Sequence, residues 1–144
     1  MEKKSVLFVC IHNSARSQMA EAFLNSLGRN RFIAESAGLE PGKLNPIVVE
    51  AMEELGIDLS HKKTQSTADC LKKGTRYDYV VTVCDETSAE KCPFFPGGAK
   101  RLHWGFEDPS KLIGTHEKKL QAVRSIRDQI KTRIEQWIST EESR

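Results

Sequence analysis

Cys10 and Arg16 bracket the segment Cys10-Ile11-His12-Asn13-Ser14-Ala15-Arg16-Ser17. A thiol at one end supplies a nucleophile, and a planar guanidinium at the other grips two oxygens of an anion at once. The five residues between them let the chain curl around a tetrahedral oxyanion and bring Arg16 back to its open side. The apolar run Val6-Leu7-Phe8-Val9 precedes the segment and a helical pattern follows, so the thiol lies on a strand-to-helix turn. Free N–H groups at a helix start, with roughly half an elementary charge from the helix dipole, favour an anion in that turn and a thiolate beside it. Ser17, one residue further, is placed to donate its hydroxyl to the sulfur. The competing reading is a buried structural cysteine; the position after a strand, with Arg and Ser following, argues against it.

The elements that must position this segment are legible in the apolar spacing. Ser5 to Cys10 reads as a buried strand, and Ala15 to Leu27 as a helix with Met19, Phe23, Leu24 and Leu27 on its buried stripe, stopped by Gly28. Phe32 to Ser36 is a second strand. Asn45-Pro46 starts a helix, since Asn caps free N–H groups and Pro has none to leave unpaired. That helix buries Val48, Met52 and Leu55 and ends at Gly56; Ile57 to Leu59 follow as an extended piece, then a short polar helix at Thr67 to Lys72. Tyr77 to Cys84 has the continuous apolar character of a central parallel strand, and Lys100 to Trp104 is a shorter one. A last helix from Glu117 to Ser139 carries Leu120, Val123, Ile126, Ile130, Ile134 and Trp137 at steps of three or four. Strands alternating with helices give an α/β fold with right-handed crossovers, a doubly wound parallel sheet of about four strands in a single domain spanning 1–144. Ligands in such sheets bind beyond the carboxyl ends of the strands, where Cys10 and Cys84 both fall.

Composition narrows the function. With 22 basic and 20 acidic residues the net charge is +2, which gives no nucleic-acid footprint and no membrane-surface partner. No run approaches the ~20 apolar residues of a membrane span, and a cytoplasmic location is expected. Four cysteines, Cys10, Cys70, Cys84 and Cys92, lack the close Cys-x-x-Cys or paired-His spacing of a zinc site, and a domain with this much apolar periodicity needs no covalent staple. Chemical use is the expectation for them. Cys84 and Cys92 end a polar segment, Asp85-Glu86-Thr87-Ser88-Ala89-Glu90-Lys91, that reads as a loop able to move; Cys70 falls in a short surface helix as a free or half-buried thiol. Asp108-Pro109 is common turn chemistry. Of the histidines, His12 lies in the anion loop, while His61, His103 and His116 read as ordinary polar or packing residues.

The segment Cys10 to Ser17 resembles the phosphate-binding loop of the low-molecular-weight protein tyrosine phosphatases and of the thioredoxin-coupled arsenate reductases built on the same fold. The loop alone does not separate the two. The resemblance continues through Cys84, Cys92, Pro93, Phe94, Pro96 and Gly97, the stretch His103-Trp104-Gly105-Phe106-Glu107-Asp108-Pro109, and the final amphipathic helix. It implies an oxyanion site made by Ile11, His12, Asn13, Ser14, Ala15 and Arg16, with Cys10 as nucleophile, Ser17 supporting it and Asp108 as general acid. The three-cysteine combination is its specific part: in the reductases a second and a third cysteine carry out a disulfide cascade, and these are carried over to Cys84 and Cys92.

On this resemblance the chain is expected to be an arsenate reductase whose substrate is arsenate and whose thiol donor is thioredoxin or a similar protein, acting as a monomer without a cofactor. Reducing arsenate takes two electrons, which two thiols supply by becoming a disulfide. The alternatives are a phosphatase acting on phosphotyrosine or small phosphate esters, and a non-catalytic oxyanion or redox sensor. Ser110 and Lys111 follow Asp108-Pro109 where the phosphatases usually place aromatic residues, which weakens the phosphatase reading. Asn13 and Glu21 match residues that, in part of the reductase family, hold a potassium ion with hydroxyl and acidic groups near Ser60 to Ser66. This chain has Lys62, Lys63, Thr64 and Gln65 there and no acid before Asp69, so either a lysine ammonium near Glu21 takes the ion's place or Glu21 is a solvated helix residue.

Overall fold

The computed structural model describes residues 3–84, 90–95 and 97–142, so the expected mobile segment Asp85 to Ala89, and Pro96 in the family match, lie outside the described residues. The elements are β1 (Lys4–Cys10), α1 (Arg16–Leu27), β2 (Phe32–Gly38), α2 (Pro46–Glu53), α3 (Thr67–Lys73), β3 (Tyr79–Thr82), β4 (Lys100–His103), a 3-10 turn (Pro109–Lys111) and α4 (His116–Glu142). Among the described residues the strands form one sheet in the order β2-β1-β3-β4. Every neighbouring pair is parallel. This is the doubly wound α/β fold read from the sequence.

The two faces of the sheet are filled differently, following the alternation of a strand. Val6, Phe8 and Cys10 of β1 and Tyr79 and Val81 of β3 point into a large cluster with Met19, Phe23 and Leu24 of α1, Val48 and Met52 of α2, and Ile126, Ile130, Ile134 and Trp137 of α4. Leu7, Val9 and Val80 point the other way, into a smaller cluster with Ala37, Cys70, Tyr77, Cys92 and Phe95. Each fully buried large apolar side chain contributes about 1.5–3 kcal/mol by leaving water.

Local chemistry sets the helix ends. The Asn45 side chain accepts from the N–H groups of Ile47 and Val48 with Pro46 at the first turn of α2, and Ser66 and Asp69 form a reciprocal capping box on α3. Several sequence expectations need correction. The first helix begins at Arg16 because Ala15 is its non-helical cap residue. Leu27 and Leu55, assigned to buried stripes, are 43% and 40% exposed, since each lies on the turn where its helix leaves the core. Ile57 to Leu59 lies outside the sheet ladder, and β3 is limited to four residues. Cys70 is fully buried, because α3 lays it against the second cluster rather than against solvent.

Candidate active site

The loop after β1 is held open by its own carbonyl groups. The carbonyls of Cys10, Ile11, His12 and Ser14 accept from the N–H groups of Leu39 (3.1 Å), Glu40 (2.8 Å), Gly42 (2.9 Å) and Asn45 (2.9 Å). In a trans peptide the N–H opposes the C=O, so the N–H groups of Ile11, His12, Asn13 and Ala15 turn the opposite way. That of Asn13 meets the Cys10 Sγ at 3.2 Å. Asn13 has φ 55°, the left-handed region that Asn tolerates better than most residues. The end of β2 presses against this curl: a Cβ on Gly38 would lie 2.7 Å from the Asn13 nitrogen and 2.9 Å from the Ile11 carbonyl oxygen, so only glycine fits.

A chain of hydrogen bonds runs from the backbone to the sulfur. The backbone N–H of Gln65 donates to Asn13 Oδ1 at 3.0 Å, which identifies the other end of that amide as the donor. Asn13 Nδ2 then donates to Ser17 Oγ at 2.8 Å. Asn13 uses one lone pair of that oxygen and leaves the Ser17 hydroxyl hydrogen free to donate to Cys10 Sγ, 2.9 Å away, the direction required when the sulfur acts as a nucleophile. Gln18 Nε2 also donates to Asn13 Oδ1, at 3.2 Å. Cys10, Asn13 and Ser17 are all buried. Two donors thus converge on the nucleophile candidate. His12 stands apart from it: its Nδ1 donates to the Glu40 carbonyl at 2.8 Å, tying the ring to the 39–42 segment instead of leaning it over the loop.

Arg16 reaches the third element. Its Nη1 donates to the Phe106 carbonyl at 3.1 Å and its Nη2 lies 3.6 Å from Asp108 Oδ2. The stretch carrying these partners is anchored by Trp104, whose ring lies 6.0 Å from Phe8 and 5.7 Å from Trp137. Burial pushes the Asp108 carboxyl up, but the Ser110 N–H and hydroxyl on Oδ1, with the charges of Arg16 and Lys111, outweigh it and leave the pKa lowered. The apo carboxyl is therefore anionic at neutral pH, and a bound oxyanion next to it is what would drive it to take a proton.

The strand register places the second thiol. Val9 pairs with Thr82, and the Val83 N–H donates to the Val9 carbonyl at 2.9 Å, so the chain leaves β1 and β3 side by side. Cys10 and Cys84 are both buried in the larger cluster. Cys92 is buried on the opposite face of the sheet, in the smaller cluster with Cys70, where burial raises its pKa despite the nearby Arg101 guanidinium.

Beside the loop, Glu21 accepts from Ser36 Oγ at 2.9 Å and is paired on its other oxygen with the Lys62 ammonium. The Lys62 ammonium thus already supplies at Glu21 the positive charge that a potassium ion would bring. The Oε1 of Gln18 is the one buried side-chain N or O atom among the described residues without a hydrogen-bond partner. Sequence reading missed Gly38, the Gln65 contact and the Phe106 carbonyl under Arg16. Gly38 left a trace in the small-residue run Ser36-Ala37-Gly38, whereas the two backbone groups left none.

Comparison with known proteins decides the family. The profile of low molecular weight phosphotyrosine protein phosphatases matches residues 5–143. The chain belongs to this family. Within it, the chain is 42% identical over 143 residues to an arsenate reductase of Shouchella clausii, covering 99% of this chain and 100% of the relative. Among solved structures, an arsenate reductase in its oxidised state matches with TM-score 0.78 and 32% identity, covering 95% of this chain and 98% of the other. A thioredoxin-dependent arsenate reductase of Corynebacterium glutamicum matches with TM-score 0.70 and 28% identity, covering 100% of this chain and 64% of that one. Among the described residues no helix is long and apolar enough to cross a membrane.

Proposed function

We propose that this family member reduces arsenate to arsenite by thiol-disulfide chemistry and is regenerated by a thioredoxin-type protein in the cytoplasm, working as one domain and as a monomer. The observation that carries the reading is that two thiols, Cys10 at the end of β1 and Cys84 two residues past the neighbouring β3, are buried in the same cluster at the carboxyl edge of the sheet. A phosphatase needs the loop thiol alone.

Arsenate binds to the N–H groups of residues 11 to 16 and to Arg16. The Cys10 sulfur attacks arsenic, and a protonated Asp108 gives its proton to the departing oxygen, leaving a Cys10–arsenic bond and water. The Cys84 thiolate attacks the Cys10 sulfur, the electron pair of the S–As bond stays with arsenic, and arsenite departs from a Cys10–Cys84 disulfide. Two thiols have lost two electrons and arsenic has gained them. Cys92 attacks Cys84 in turn, freeing Cys10, and the Cys84–Cys92 disulfide is the one the thiol donor reduces. Asn13 and Ser17 keep donors on Cys10 throughout, and the Lys62 ammonium serves where a potassium ion serves in some relatives.

The test is NADPH consumption with arsenate, thioredoxin and thioredoxin reductase, beside hydrolysis of a phosphate ester. Arsenate-dependent NADPH oxidation is expected. Ester hydrolysis without it would overturn the reading in favour of a phosphatase.

A further inference from the structure

Cys92 lies where it cannot take part in the cascade without moving, and a specific side chain holds it there. On β4, Arg101 pairs in register with Val80, whose side chain belongs to the same cluster as Cys92. Its two terminal nitrogens bind consecutive carbonyls: Nη1 donates to Pro93 O at 3.1 Å and Nη2 to Cys92 O at 3.2 Å. Its guanidinium carbon is 4.5 Å from the centroid of the Phe94 ring, which is otherwise 84% exposed. One cation thus fixes three consecutive residues through a forked hydrogen bond and a ring stack, which a point charge such as Lys cannot reproduce. Cys92 and Cys84 belong to clusters on opposite faces of the sheet.

We infer that Arg101 is a positioning residue for the second disulfide step: it clamps Cys92, Pro93 and Phe94 on the far face in the reduced protein and must let go before Cys92 reaches Cys84. The inference rests on the cascade proposed above. In the step it controls, the Cys92 thiolate, having lost its proton to solvent, attacks the Cys84 sulfur of the Cys10–Cys84 disulfide. The Cys84–Cys92 bond forms, the Cys10–Cys84 bond breaks, and Cys10 leaves as thiolate. The guanidinium also stands near the Cys92 thiol and favours its ionisation, so the clamp and the charge are separable by substitution.

The experiment is iodoacetamide alkylation of the reduced full chain across a pH series, with the modified cysteine identified by peptide mass spectrometry, for wild type, Arg101→Gln and Arg101→Lys. In Arg101→Gln the Cys92 rate at the alkaline plateau should rise about tenfold and the midpoint of its pH profile should move up. Arg101→Lys should show the faster plateau with the midpoint restored toward wild type. Cys70, in the same apolar cluster, should stay as slow as in wild type. At the alkaline plateau, the Cys84–Cys92 disulfide should also form faster in Arg101→Gln after one equivalent of arsenate. Wild-type Cys92 kinetics in Arg101→Gln, or a parallel rise at Cys70 that signals general loosening, would overturn the clamp. An accessible Cys92 that forms no faster disulfide would overturn its role in the step. Failure of wild type to release any arsenite would instead overturn the reductase reading.

Discussion

Asn13 is the residue on which the candidate site's geometry depends most, and three substitutions separate its tasks. It is fully buried, accepts from Gln65 N–H and Gln18 Nε2, and donates to Ser17. Asn13→Ala deletes three hydrogen bonds at a net ~0.5–1.5 kcal/mol each, about 2–4 kcal/mol together. It also puts Ala at φ 55°, a further ~1 kcal/mol. The expected loss in urea denaturation is about 3–5 kcal/mol. Asn13→Gly loses the same hydrogen bonds without the backbone cost, and should recover about 1 kcal/mol of it. Asn13→Asp keeps the acceptor for Gln65 but replaces the Nδ2 donor with an oxygen, so the Ser17 hydroxyl turns away from Cys10 to donate to it. Single-turnover arsenite release should fall about a hundredfold. An Asn13→Asp enzyme within threefold of wild type would refute the argument that the direction of this hydrogen-bond chain matters.

Cys92→Ser should release at most one equivalent of arsenite per chain and then stop, and Cys10→Ser none; continued turnover by Cys92→Ser, followed by NADPH oxidation, would contradict the cascade. Wild-type activity and thermal midpoint should be the same in potassium and in sodium, because Lys62 holds Glu21. Lys62→Met should lower the midpoint by leaving a buried carboxylate unpaired, and potassium should then restore it more than sodium. Glu54 bridges α2 to α4 by accepting from Arg124 and Arg127, and its pKa is held down to about 2, chiefly by the hydrogen bond from Arg124. A depressed folded-state pKa contributes stability that is present above the ordinary value of 4.5 and lost as pH falls toward about 2. Urea midpoints measured across that window should fall less steeply in Glu54→Gln than in wild type.

The sequence carried the fold because each element announces itself locally. Alternation and apolar runs mark β1 and β3, the Asn45-Pro46 cap marks α2, and the three-and-four spacing marks α4. The exposed Leu27 and Leu55 escaped because periodicity says nothing about where the core stops beneath a helix. Cys70 escaped for a related reason: one apolar residue in a polar helix of seven residues defines no stripe, and only the second cluster explains its burial. In the loop, residue types located the thiol, the guanidinium and the hydroxyl. Their directions depend on backbone groups at residues 39–45, 65 and 106, which look alike in any sequence.

The strand parity of a sheet is nevertheless written in the chain, and it puts Cys10 and Arg101 on opposite faces; Cys84, two residues past the end of β3, joins the Cys10 cluster by packing and not by parity. Cys10 has the parity of Val6 and Phe8, and so belongs to the face covered by α1 and α4. Arg101 and His103 share the parity of Val80 and Thr82 through the register of β3 with β4, and so belong to the other. Cys92, bound to Arg101, follows it to that face. Two thiols on one face lie under helices that exclude water, while the third is beside an exposed ring at the edge strand. In the proposed cascade the oxyanion would be held on one face and the thiol donor met at the other, and Cys92 would have to cross between them to reach Cys84.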